Sequence, residues 1–306
     1  MKKEKMRSLF LHCLVIPLLF GSSWVHGQSL EDALLRHLEQ PFAKLSDQLS
    51  ETTYAELAAA AQPLLQDSSF RQEEALLPLL ARKALHGDLT DQQSFLQWAF
   101  TELPQQSQDF AYTLLKQSKK FPKPAFTPPT QFQLISYLQL DPMYMNEWIL
   151  LAGFATQEEN VIRQLLQGKP TKRVQQACRL ALTRMGVKHY RDSFLKNIKK
   201  IPVNDEFIYN IVPLAIYTHQ PVIIDYLVQI LITDQGNCQA ADAEIAGKIS
   251  CGYRLAEELS PVILDFPVPI TENGDWEVTD YPKALAKARS WLKKNRRKIE
   301  LKTSTY

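Results

Sequence analysis

Apolar residues recur three and four positions apart through most of the chain, and this spacing predicts one helix after another. Residues 30–38, 54–65 and 161–166 are clear cases, whereas the two-residue alternation of a half-buried strand is nearly absent. Helices this short bury enough surface only by stacking, so a repeat is expected. Gly87, Gly153, Gly186 and His219 mark one: the last three are 33 residues apart, and the first lies 66 before the second. Each follows an apolar stretch and precedes another. Eight, nine, twelve and thirteen positions after them stand Phe95, Leu96, Ala99 and Phe100; Val161, Ile162, Leu165 and Leu166; Phe194, Leu195, Ile198 and Lys199; Leu227, Val228, Leu231 and Ile232. All but Lys199 are apolar, which draws one helix face repeated in register. Gly at the reference points suits a left-handed helix C-cap. His219 is a poorer substitute there, followed by a Pro221 that suits a helix start.

The unit is therefore helix, tight turn, helix, connection. Its register fails at Lys120. Residues 121–130 hold four prolines and are expected to be a non-helical insertion between two helices, or a kink. Toward the end the repeat gives way to extended chain about Asn273-Gly274, a turn signal, and then to a last helix over about Pro282 to Arg297. Ala284, Leu285, Ala288 and Leu292 share one face of that helix, which suits a cap over the final repeat.

The best unit runs Lys172-Arg173-Val174-Gln175-Gln176-Ala177-Cys178-Arg179-Leu180-Ala181-Leu182-Thr183-Arg184-Met185-Gly186, with Tyr190, Phe194 and Leu195 after it. It resembles a HEAT-like repeat, through its basic-apolar start, small residue in mid-helix, Ala-Leu and Gly stop. The resemblance is strong over 171–200, fair over 141–170 and 204–233, and weak over 30–140. It implies an all-α fold, a HEAT-like α-solenoid of helix pairs with a small irregular C-terminal cap, usually a protein-binding scaffold and no reaction. The expected organisation is a signal peptide over 1–27, helical pairs over 28–120, the Pro-rich connection over 121–130, HEAT-like repeats over 131–235, and a disulfide-containing capping segment over 236–306.

The first residues read as an address. Lys2, Lys3, Lys5 and Arg7 precede an apolar run of 12 residues, and Val25 and Gly27 suit the small-residue positions of a signal peptidase. Cleavage after Gly27 would leave a periplasmic or secreted chain with 31 basic and 32 acidic residues and no transmembrane segment. Three cysteines would remain. Cys238 and Cys251 flank an irregular segment and are expected to pair, leaving Cys178 buried in a helix. The near-neutral charge argues against a nucleic-acid partner, and only 10 glycines in 306 residues argue against Gly-rich phosphate loops.

No motif demands chemistry. The four histidines after residue 27 are more than ten residues apart, no nucleophile elbow occurs, and adjacent carboxylates such as Glu257/Glu258 point to different sides of a helix. Neither metal nor cofactor is expected, and the chain is expected not to be an enzyme. Two surface features stand out. Six and ten positions after the reference points come Glu159/Arg163, Asp192/Lys196 and Asp225/Gln229, either helix-stabilising surface pairs or a polar ladder on a binding face. Residues 283–302 carry nine basic residues and one acid, and Lys293, Lys294, Arg296, Arg297 and Lys298 form a candidate basic patch. The leading expectation is a scaffold presenting a curved helical surface to a protein partner. A binder of anionic envelope glycan or lipid, and a carboxylate enzyme acting on glycan in a helical toroid, are the alternatives.

Overall fold

The computed structural model describes residues 24–39, 49, 51–66, 73–239, 247–271, 276–302 and 306. The chain divides into two compact units, Met1–Phe70 and Arg71–Tyr306. In the first unit, α1 (Trp24–Glu39) packs on α2 (Tyr54–Gln66), with Leu34, Leu57 and Ala61 fully buried. Thr53 and Glu56 cap α2 reciprocally: the Thr53 N–H donates to the Glu56 carboxylate at 3.0 Å, and the Glu56 N–H donates to the Thr53 hydroxyl at 3.3 Å. Residues 1–23 of the expected signal lie outside the described residues. Helix α1 begins at Trp24, so a cut after Gly27 would fall inside it.

The second unit opens with eight helices: α3 (Glu73–His86), α4 (Leu89–Glu102), α5 (Gln108–Ser118), α6 (Pro128–Leu138), α7 (Met145–Ala155), α8 (Glu159–Gln167), α9 (Lys172–Arg184) and α10 (Lys188–Ile198). Side chains of Asp88, Ser107 and Thr171 accept backbone N–H bonds at the starts of α4, α5 and α9, which explains why those helices begin where they do. Contacts run to the next helix and to the one after it: α3 touches α4 and α5, α4 touches α6, α5 and α6 touch α7, and α7 touches α9 most of all.

The Pro-rich connection is more ordered than its composition suggested. Pro128 and Pro129 form the first turn of α6, where a missing N–H costs nothing. Before them, Lys123–Ala125 make one 3-10 turn. Phe121 stacks on Phe95 at 5.2 Å, and Phe126 meets Phe100 and Phe154 edge-on. The segment thus supplies two aromatic core residues rather than looping out.

The reference glycines also divide. Gly186 and His219 are left-handed, at φ 85° and 48°, as a C-cap requires. Gly87 is not among the left-handed residues, and Gly153 is no cap: it lies buried inside α7. A Cβ there would stand 2.7 Å from the Ala181 Cα and 2.6 Å from the Tyr217 hydroxyl, so the missing side chain lets α7 and α9 cross closely.

After α10 the chain makes a π-turn at Phe207–Ile211, then α11 (Val212–Tyr217) and α12 (Pro221–Thr233). The π-turn interrupts the helix pair that the repeat resemblance implies over 204–233. Pro213 has no N–H to give to the residue four before it, and the Val212 N–H bonds instead to the Phe207 carbonyl. A short hairpin, β1 (Asn237–Gln239) with β2 (Lys248–Ser250), pairs Cys238 with Ile249. The Cys238–Cys251 disulfide closes it, with Cα atoms 4.9 Å apart. A loop of that length is worth about 3 kcal/mol in the chain-entropy account. Cys178 is free and buried, and burial pushes its thiol up to about 11. Helices α13 (Gly252–Leu259) and α14 (Tyr281–Asn295) finish the unit. Ala284, Leu285, Ala288 and Leu292 of α14 are buried and join the core built on α12. The Asn273-Gly274 turn lies outside the described residues, and Ile270 and Trp276 bridge on either side of it. The fold is all-α apart from that single two-stranded sheet among the described residues, and no described helix is long and apolar enough to cross a membrane.

Candidate binding site

The polar ladder read from the repeat does not form as one surface. Glu159 and Arg163 pair at 2.5 Å, and the Arg163 guanidinium reaches 5.6 Å from the Tyr190 ring, tying α8 to α10. Asp192 pairs with its neighbour Arg191 at 3.0 Å instead of with Lys196, which makes no ion pair among the described residues. The Arg191 fork supplies two N–H groups to one carboxylate oxygen, an arrangement a lysine cannot match. Asp225 belongs to the cap: Arg296 grips it through two bonds of 2.7 and 2.8 Å, and these hold its carboxyl below the usual range. The Gln229 Oε1 is buried with no hydrogen-bond partner among the described residues.

The basic tail divides likewise. Arg289 donates to the Leu231 carbonyl at 2.9 Å and to Asp234, so this cation fastens α14 to the end of α12. Arg296 is engaged by Asp225, while Lys293, Lys294, Arg297 and Lys298 stand exposed.

A different constellation assembles across α5, α7, α9 and α11. On α5, Tyr112 and Lys116, with Lys119 just beyond the helix end, follow i, i+4, i+7 spacing and share one face. Tyr112 lies 4.8 Å from Tyr144, and Lys116 sits 4.3 Å over the Tyr112 ring. Leu140, Met143 and Tyr144 in the α6–α7 connection are 62%, 53% and 42% exposed, an unusual concentration of large apolar groups facing water. Asp141 and Tyr144 are both left-handed, at φ 50° and 60°, a strained backbone for residues with side chains.

Lys119 continues the line inward. It pairs with Glu147 at 2.5 Å and lies 5.1 Å over the ring of Tyr306, the last residue of the sequence. Tyr306 meets Phe154 edge-on at 5.6 Å and Tyr217 at 5.5 Å. Behind these rings the Arg184 guanidinium stacks on Phe154 at 4.7 Å and on Tyr217 at 5.0 Å, and donates to the Tyr217 carbonyl. The Tyr217 hydroxyl donates to the Leu150 carbonyl at 2.7 Å. Burial raises the pKa of both phenols, so both stay neutral. Sequence reading missed this site. Its residues lie on separate helices, and only the i, i+4, i+7 run on α5 was visible in one stretch.

His219 borders the cluster. Both its ring nitrogens are buried with no hydrogen-bond partner among the described residues. Burial first, and then the Arg184 charge, bring its pKa down from 6.5 to about 4. The unfolded chain takes up this proton near pH 6.5 and the folded chain only near pH 4. Stability is therefore full above that window and falls as pH drops through it. We expect a loss of about 2 kcal/mol by pH 4, allowing for partial exposure. His219→Asn tolerates the left-handed backbone and removes the titration. Urea unfolding at about pH 7 and pH 4.5 should show the wild type losing more stability than the variant.

Among the described residues no group of three His, Cys, Asp or Glu side chains could hold a metal ion. No family model matches the chain, and no curated protein or solved structure is significantly similar to it.

Proposed function

We propose that this protein is a non-catalytic scaffold that works outside the cytoplasm and holds a protein partner against α5 and α7. One observation carries the reading: Tyr112 on α5 and Leu140, Met143 and Tyr144 on the strained α6–α7 connection all expose large apolar side chains, and the α5 face runs on from Tyr112 to a seat already holding an aromatic side chain. Aromatic side chains and Met are the residues that interface centres favour. The succession of contacts to the next helix and the one after supports an array of helix pairs of the HEAT-like kind. The disulfide supports an oxidising compartment, in line with the signal-like start.

The test places a photo-crosslinking amino acid at position 112 or 143 in the cells that make the protein, with positions 209 and 281 as exposed aromatic controls. The expected result is one protein adduct, identified by mass spectrometry, from 112 and 143 and absent from the controls. Tyr144→Ala should reduce it at least about fivefold, as expected for an interface anchor worth about 1 kcal/mol or more. Equal labelling at all four positions would remove the scaffold reading. Exposed Lys293, Lys294, Arg297 and Lys298 favour the second reading, contact with an anionic envelope surface. A lipid or glycan adduct from position 294 that disappears in added salt would support it instead.

A further inference from the structure

We infer that the seat holding Tyr306 receives an aromatic side chain from an extended, acidic segment of the partner, and that Tyr306 is a resident competitor for it. The inference rests on the scaffold reading above.

The seat is built without Tyr306. Phe154 is held edge-on by Phe126 at 5.7 Å, Tyr217 by its bond to the Leu150 carbonyl, Arg184 by its bond to the Tyr217 carbonyl, and Lys119 by Glu147. Those partners come from α7, α11 and the Pro-rich connection. A ring can therefore leave without the walls losing their own supports, and a preformed site takes a new ring at little ordering cost. Tyr306 itself is held differently. Among the described residues it makes ring contacts with Phe154, Tyr217 and Lys119 and no hydrogen bond. Among the described residues, the anchors that precede it are the Leu301 bridge to Ile263 and the Lys302 N–H bond to the Val262 carbonyl at 2.9 Å.

The surroundings state what else would fit. From Lys119 the face of α5 continues through Lys116 to the open Tyr112 and Tyr144 rings, so a segment seated at one end meets apolar surface at the other. Along this line lie Lys116, Lys119 and Arg184, and near them Lys123, whose pKa is lowered first by burial and then by the Arg184 charge. Glu147 is the acid that the structure pairs with Lys119 there. The excess of positive charge selects a segment carrying Asp or Glu beside its aromatic residue.

The experiment uses a fluorescein-labelled synthetic peptide of residues 299–306 as the probe. It should bind Tyr306→Ala protein at least about tenfold more tightly than wild type, because the seat is then empty. A peptide with Ala in place of its tyrosine should not bind, and one with Lys302→Glu should bind more tightly and lose that gain in added salt. Equal affinity for both proteins, or no binding to Tyr306→Ala, would overturn the inference. A second measurement avoids dependence on that variant. With 3-fluorotyrosine at position 306, excess unlabelled peptide should move the fluorine signal to its solvent-exposed position, and an unmoved signal counts against exchange. The scaffold reading is scored separately by the position-112 adduct. If the adduct survives while the peptide arms fail, the inference about the Tyr306 seat falls and the scaffold reading stands.

Discussion

Replacing Leu227 with aspartate should cost at least about 4 kcal/mol and leave the unit Arg71–Tyr306 largely unfolded. Leu227 is fully buried on α12, among Ile224, Val228 and Leu231, and α12 touches α11, α13 and α14. A carboxylate there has no partner and no route to water. Leu165, on the same repeated stripe in α8, is only half-buried. Leu165→Asp should therefore cost about 1 kcal/mol, since its charge can turn outward. Urea unfolding followed by circular dichroism measures both. Equal costs would mean that the two helices are packed alike, contrary to their exposures.

The second large effect belongs to Gly153→Val. A Cβ at this position would approach the Ala181 Cα to 2.7 Å, the Ala181 Cβ to 2.6 Å and the Tyr217 hydroxyl to 2.6 Å. One of these is backbone, so no rotamer change relieves the clash, and α7 must move away from α9. Overpacking of this kind costs about 3 kcal/mol. The hydroxyl in the way is the one that bonds the Leu150 carbonyl, so the Tyr306 seat should distort as well. Gly186→Ala is the matched comparison. Its Cβ meets nothing within 4 Å, and the cost is left-handed backbone alone, at φ 85°. That should amount to about 1 kcal/mol. A Gly153→Val protein with wild-type melting temperature would show that the α7–α9 crossing is looser than described.

Two further residues show how far sequence reasoning reaches. His219 was marked as a stand-in for a glycine cap because of its spacing from Gly186, and it is left-handed. Its buried, unpartnered imidazole had no sequence signal, since burial depends on tertiary packing and not on spacing along the chain. Gly153 had the same spacing and the opposite fate. A glycine in a helical pattern reads equally as a stop or as a close approach, and only the neighbouring helix decides which.

The helical periodicity, the Cys238–Cys251 pairing, the buried face of α14 and the turn at Gly186 were each determined by short stretches of sequence. Their causes are local: a face that must leave water, a backbone angle that suits glycine, two cysteines within reach of each other. The tertiary structure alone decided which apolar faces were covered, splitting the shared stripe into buried α4 and α12 and half-covered α8 and α10. It decided too that Phe121 and Phe126 of the Pro-rich connection enter the core, and that Lys119, Phe154, Arg184, Tyr217 and Tyr306 meet. An amphipathic pattern records that a side chain must be buried, not against what, because hydrophobic burial has no direction and accepts any surface of fitting shape.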